Sequence, residues 1–308
     1  MYQNNAVSNQ FINADSTFPV VIRAWEGYLA DQNKSIYTIK AFKGDIQLFA
    51  SYFSPDKTIG SVTTKDISNF LDWMNNERPV PCSPKTTSRR ITSIKSFFKW
   101  LKTFGAIEED PAAGIDQINV ASPLPEILTK EEVEKVLSAA NAYRTRKKPD
   151  ARMMLLVQLL LSTGIKKSET LGISKNHVQR EDPEKPKLFV RYANAENRTK
   201  ERIIDLPASW IEVFDEYLDQ YRPTDKIFPC SPRRLEYLLE DLGTEAELKK
   251  HLSFAMCRWT CFVKDFTEGV PMDVIRGKMG VSQVQWREIL GKLQTLSKIY
   301  NGQSETAA

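Results

Sequence analysis

Basic side chains recur where the secondary-structure pattern of this sequence breaks. Lys166 and Lys167 follow Gly164 at an interruption between two helical runs, Arg198, Lys200 and Arg202 surround a polar turn, and Arg258 stands beside Trp259 in an apolar helical run. Cations converging from several elements suit a phosphodiester, whose oxygens accept charge-assisted hydrogen bonds. Competing chemistries lack their residues. There is no Gly-rich phosphate loop, no HExxH pair and no GxSxG elbow. His177 and His251 are the only histidines, so imidazole acid–base chemistry has few candidates. Cys82, Cys230, Cys257 and Cys261 form no CxxC pair, so neither a metal site nor a disulfide framework is expected, and a cytoplasmic protein with free thiols is. Cys257 and Cys261, one helical turn apart on an apolar helix, are expected to be small core residues.

Lys and Arg total 43 against 39 Asp and Glu, and the resulting charge of +4 is too small to imply a polyanionic partner by itself. The distribution says more. KTTSRRITSIKSFFKWLK, residues 85–102, has six basic residues and no carboxylate. A helix offering Arg89, Arg90, Lys95 and Lys99 among Ser and Thr hydroxyls can neutralise phosphates and donate neutral hydrogen bonds to a nucleic-acid backbone. The competing reading is a solvated helix face. With 41% hydrophobic and 27% charged residues the chain is globular, and 308 residues predict about two domains at roughly 100–200 residues each. The polar N-terminus lacks a signal pattern and no apolar run reaches the ~18 residues of a membrane helix, so no membrane partner is expected.

Those cations need elements to position them. Apolar residues at helical spacing predict two helices within residues 18–53, with Ile39, Phe42, Ile46, Phe49 and Phe53 on one stripe; Thr63 starts a third, stopped by PVPCSP, and Thr87–Leu101 form a fourth. DPAAGIDQINVASPLPE reads as a linker. A capping-box pattern at Thr129–Glu132 opens the second part, followed by an apolar helix broken at Gly164, a β-hairpin over residues 187–193 and 201–206, and helices to the C-terminus. The boundaries read as an N-terminal tail 1–17, a helical domain 18–115, a linker 116–125, a mostly helical domain with one small sheet 126–300, and a C-terminal tail 301–308.

In that order the elements resemble the tyrosine recombinase, or phage integrase, family over about residues 18–300. SIYTIKAFKGDIQLFASYF, TTSRRITSIKSFFKWLKTFGAIEEDPAAGI and PLPEILTKEEVEKVL resemble its helical core-binding domain and linker. LLLSTGIKKSETLGI resembles the first arginine box, TKERIIDLP the β-hairpin and MCRWTCFVKDFTEGVPMDVIRGKMG the second arginine box. The resemblance implies a mainly α fold with a small β-sheet: a SAM-like core-binding domain followed by a catalytic-type domain. It also implies a two-domain clamp on double-stranded DNA, homo-oligomers on that DNA, and strand cleavage through a phosphotyrosyl intermediate without metal or nucleotide cofactor.

Carried over residue by residue, the resemblance puts Lys166 at the first arginine, Arg258 at the second, and Asn197 at the hairpin lysine, with Arg198 or Lys200 able to reach the same place. Ala255 occupies the histidine position and Val281 the following His/Trp position. Leu290 falls at the tyrosine in the direct register. A register with an insertion after Gly280 puts Lys292 at the His/Trp position and Tyr300 at the nucleophile. The expected catalytic set is Arg258, Lys166, Lys200 and Tyr300, and the expected DNA-binding set is Arg89, Arg90, Lys95, Lys99, Arg198 and Arg202. An active integrase or site-specific recombinase, a DNA-binding regulator or architectural protein that has lost the chemistry, and a helical protein-interaction module all remain open on the sequence.

Overall fold

The computed structural model describes residues 12–120 and 122–301. The chain divides into two compact units, the division falling between Ser122 and Pro123.

Within the first unit, α1 (Phe18–Asp31), α2 (Ile36–Ala50), α3 (Thr64–Asp72) and α4 (Pro84–Phe104) enclose an aromatic core. Trp25, Phe49, Phe70, Phe97 and Phe98 are fully buried, and Phe49 meets Phe70 edge-on at 5.0 Å, the arrangement aromatic quadrupoles favour. The helix starts are chemically marked. Ser35 accepts from Thr38 N, and Thr63 and Asp66 close a reciprocal capping box. The fourth helix starts three residues before the expected Thr87, because Ser83 caps it and Pro84 at its first position needs no amide partner there. Phe53 lies beyond the end of α2 and still packs on the core. Residues 12–17, read from sequence as tail, are attached: Thr17 bridges Thr58, and Ile59 N and Gly60 N donate to Ser16 and Ala14 carbonyls. Their short β-type pairing has no apolar periodicity to signal it. The remaining tail residues, 1–11 and 302–308, lie outside the described residues.

The second unit comprises α5 (Lys130–Thr145), α6 (Arg152–Thr163), α7 (Lys167–Gly172), α8 (Ala208–Tyr221), α9 (Pro232–Glu245), α10 (Phe254–Thr267), α11 (Met272–Met279) and α12 (Gln283–Tyr300). A three-stranded antiparallel sheet, β1 (Val178–Gln179), β2 (Lys187–Val190) and β3 (Arg202–Asp205), lies between α7 and α8 in sequence. The hairpin strands are shorter than expected, because residues 195–200 wind into a 3-10 turn; β1, only two residues long, has no sequence pattern. Leu155, Leu156, Val157, Leu159 and Leu160 are all buried, so α6 is apolar nearly all round and forms the centre of this unit. Cys257 and Cys261 are buried core residues, as expected. Trp286 and Leu293 pack α12 onto its own unit.

Gly164 ends α6 in the left-handed conformation, φ +60°, and a Cβ there would meet the Phe262 ring at 2.5 Å. Helix termination and close approach of α10 therefore both demand glycine. Gly164→Ala is expected to cost about 2–4 kcal/mol of stability, combining left-handed strain with overpacking. Urea denaturation checks this; an unchanged midpoint would mean that Phe262 moves aside freely.

Candidate functional site

In the second unit Lys166, Lys200, Arg202 and Arg258 gather around one buried carboxylate, Glu169. Lys166 immediately precedes α7, Glu169 is the third residue of that helix, Arg202 opens β3, and Arg258 projects from the second turn of α10. The local sequence explains the placement. Gly164 turns the chain out of α6, and Lys166 N donates to Glu169 Oε2 at 2.8 Å, satisfying an amide that a helix start leaves unpaired.

The Glu169 side chain has no exposed surface. Arg202 binds it with two nitrogens, NH1 to Oε1 at 3.1 Å and NH2 to Oε2 at 3.0 Å, and the Tyr192 hydroxyl donates to Oε1. Burial alone raises the carboxyl pKa, but Arg202's bonds and charge, the Lys166 amide and Tyr192 together hold it below the usual carboxylate range. Tyr192 is the counterpart: burial and the adjoining carboxylate push its hydroxyl up to about 12, so it remains a donor.

Arg258 is held by main-chain oxygens. Its NH1 donates to Gly164 O and its NH2 to Met279 O at 2.7 Å, with the guanidinium over the Phe262 ring. Burial pushes its pKa down to about 10, which leaves it charged at neutral pH. Arg202 Nε donates to Lys278 O at 2.7 Å, so both arginines satisfy carbonyls at the C-terminal end of α11, where cations are favourable. Gly280 follows at φ +62°; a Cβ there would come within 2.9 Å of Arg202 NH1.

The lysines are less committed. Lys166 Nζ stands 3.9 Å from Glu169 Oε1 with its side chain 40% exposed, and burial followed by the neighbouring cations outweighs Glu169 to lower its pKa. Lys200, exposed, donates to Asn197 Oδ1 at 2.7 Å, which places its ammonium at the side chain of the expected hairpin-lysine position. Arg198 is exposed on the same turn. A cleft of about 720 Å³ opens beside the cluster, lined by Lys200, Arg202, Lys278, Gly280 and Val281 among others. Ala255 and His251 line a separate groove with Lys167 and Arg233; His251 precedes α10, on non-helical chain.

Tyr300 is brought elsewhere. It is buried with Trp286, Leu293 and Leu296, has Lys130 against its ring, and its hydroxyl pKa is raised by burial and by Glu268. Glu268 ends α10, ten residues beyond Arg258, a distance of roughly 15 Å along a helix. Lys292 pairs with Glu288 at 2.7 Å.

On α4, two expected DNA contacts meet a buried acid. Arg89 and Arg90 both pair with Asp45 of α2, whose side chain is 4% exposed, and Arg90 NH1 also reaches the sulfurs of Met74 and Cys82. Arg90 is 14% exposed and thus helps hold the helices together, while Arg89 keeps 43% exposure. Lys95 donates to Ile115 O, drawing the following segment onto α4. Lys85, Lys99 and Lys102 are exposed. Glu169 and Tyr192 were missed by sequence reasoning; the spacing of Glu169 three residues after Lys166 is a capping signal, and nothing local marks Tyr192.

Residues 22–105 match the model of the phage integrase N-terminal SAM-like domain. A tyrosine recombinase of Thermosipho africanus (strain TCF52B) is 26% identical over 268 residues, covering 84% of this chain and 90% of the relative. Over most of its length the chain is similar to tyrosine recombinases. A second relative, the tyrosine recombinase XerD of Listeria monocytogenes (strain EGD-e), is 29% identical, but the match covers only 62% of its length and 63% of this chain. Solved tyrosine recombinases share the fold: a lambda integrase dimer bound to a COC' core site gives a TM-score of 0.69 at 14% identity, covering 95% of this chain and 80% of the other. XerH bound to difH substrate in a post-cleavage complex gives 0.69 at 18%, covering 88% and 82%.

Two outcomes follow. Arg90→Ala leaves Asp45 short of a buried partner and is expected to cost about 3 kcal/mol, while exposed Lys99→Ala stays within about 0.5 kcal/mol; equal thermal unfolding of both variants would contradict the placement. Because the folded-state pKa of Glu169 is depressed, its contribution is full above the unfolded-state value and is lost as pH falls through the acid range. Wild-type stability in urea should therefore fall more steeply than that of Glu169→Gln as pH drops below about 4.5.

Proposed function

We propose that this tyrosine recombinase relative binds double-stranded DNA and acts in DNA recombination, seating one backbone phosphate on Lys166, Lys200 and Arg258 with Arg202 behind them. The observation supporting this is how little of the cluster's charge is cancelled: Glu169 is matched by Arg202, while Arg258 and Lys200 rest on neutral oxygens. Uncompensated cations from three elements meet what a phosphodiester requires. The first unit would serve as the core-binding domain, with Lys99 and Arg89 available to the DNA backbone, and the second as the catalytic-type domain. A cytoplasmic location fits work on cellular DNA, and relatives solved as a dimer and a tetramer on DNA favour a homo-oligomer.

In the cutting reaction a tyrosine hydroxyl loses its proton to solvent as its oxygen attacks the phosphorus and forms the phosphotyrosyl bond, while the bond from phosphorus to a deoxyribose oxygen breaks and that oxygen takes up a proton from solvent. Lys166 and Arg258 neutralise the charge gathering on the phosphate oxygens. A lysine at position 166 supplies a point charge where arginine would supply a two-pronged clamp, which weakens this step. Tyr300 is the proposed nucleophile and must leave its pocket beside Glu268 to act. Its burial there favours a second reading, in which the protein holds DNA without cutting it.

Fragmented DNA from the source organism, incubated with wild type and Tyr300→Phe and then treated with SDS, separates the two. A covalent adduct formed by wild type and absent from the variant is the outcome for cutting by Tyr300. Salt-sensitive DNA retention wholly released by SDS is the outcome for binding alone, and no retention at low salt defeats both.

A further inference from the structure

Glu169 is surrounded by more donors than it can accept. An ionised carboxylate offers about four lone-pair sites, two on each oxygen. Oε2 takes Lys166 N and Arg202 NH2; Oε1 takes Arg202 NH1 and the Tyr192 hydroxyl. The set is complete without the Lys166 ammonium, which stands at 3.9 Å, outside hydrogen-bond range, and faces solvent over 40% of its side chain. An ammonium one residue before a helix with a carboxylate at its third position would ordinarily close onto that carboxylate. Here the nearer oxygen, Oε1, is already filled, and one of the groups filling it is neutral.

We propose that Tyr192 is a positioning residue: by occupying the last acceptor site of Glu169, its hydroxyl keeps the Lys166 ammonium out of a closed ion pair and available to a phosphate oxygen of bound DNA. A neutral donor satisfies the buried carboxylate without using one of the cluster's cations. The hairpin fixes the tyrosine in place, since Tyr192 N donates to Glu201 Oε1 at 2.9 Å across its base. The inference rests on the proposed DNA-binding role, and it makes Lys166 a phosphate contact whose availability is set by a residue that touches no DNA.

Tyr192→Phe keeps the ring and removes only the donor. The vacated site on Oε1 should then draw Lys166 in. Binding of a random-sequence duplex, followed across a salt series, is expected to lose one phosphate contact: the slope of log affinity against log salt becomes shallower by about 0.9 in Tyr192→Phe, by the same amount in Lys166→Ala, and by no more in the double variant. A merely structural loss would weaken binding without that coupling. A wild-type slope in Tyr192→Phe beside a reduced slope in Lys166→Ala overturns the proposal, as does an unchanged slope in Lys166→Ala. Absence of salt-dependent binding by wild type defeats the DNA reading itself. A second measurement needs no DNA: acylation of Lys166 by an N-hydroxysuccinimide ester, followed by mass spectrometry, should be slower in folded Tyr192→Phe than in wild type. Equal or faster labelling overturns the proposal independently.

Discussion

The buried carboxylate of Glu169 ties α7, the hairpin and the end of α11 into one object. Removing a carboxylate and a guanidinium from water costs several kcal/mol per ion, so the Glu169–Arg202 pair persists only where every remaining donor and acceptor is matched. Here the matching groups come from different parts of the chain: the Lys166 amide, the Tyr192 hydroxyl and, through Arg202 Nε, the carbonyl of Lys278. Each match constrains an element. The pair is therefore less a source of net stability than a device that fixes relative position, and the cations of the cluster inherit that precision.

Arg258 shows the complementary solution. Its partners are peptide carbonyls at the ends of α6 and α11, which orient the guanidinium while leaving its charge whole. A carboxylate partner would have held it as firmly and cancelled the field a phosphate is drawn to. Gly164 and Gly280 make this possible, since each ends a helix with positive φ where an added Cβ would strike Phe262 or Arg202. The glycines and arginines thus form a single unit: helix ends without side chains, and cations seated on the carbonyls exposed there.

Much of this was legible in the sequence, for reasons that are local. The helix starts at Thr63 and Thr129, the break at Gly164 and the hairpin around residues 187–206 follow from capping chemistry, glycine and alternation. The cations at residues 166, 200, 202 and 258 could be singled out because they interrupt such patterns. What could not be read depends on pairs distant in sequence. Arg90 reads as a solvent-facing cation until Asp45, more than forty residues earlier, is packed against it. Tyr192 resembles any strand-end aromatic until the fold brings it to Glu169. Basic residues on a helix advertise charge, but whether a given one meets solvent or a buried acid is decided by tertiary packing.

Binding and cutting place different demands on one scaffold, and in the proposed reading the groups for each lie at different places along α10. Holding a phosphate needs only cations, and these gather at the start of the helix around Arg258. Cleaving it also needs an oxygen nucleophile in line with the leaving group, and Tyr300 sits at the other end beside Glu268, where burial and a neighbouring anion both favour the protonated phenol. The directly aligned position, Leu290, has no oxygen to offer. To reach the cluster Tyr300 must exchange the company of Trp286, Leu293 and Leu296 for that of four basic groups. That exchange exposes apolar surface of α12. A DNA phosphate bound at the cluster supplies the compensating interaction only if the displaced helix finds another surface to cover. Without such a surface, the same packing that stabilises the second unit keeps Tyr300 apart from the cations of the cluster.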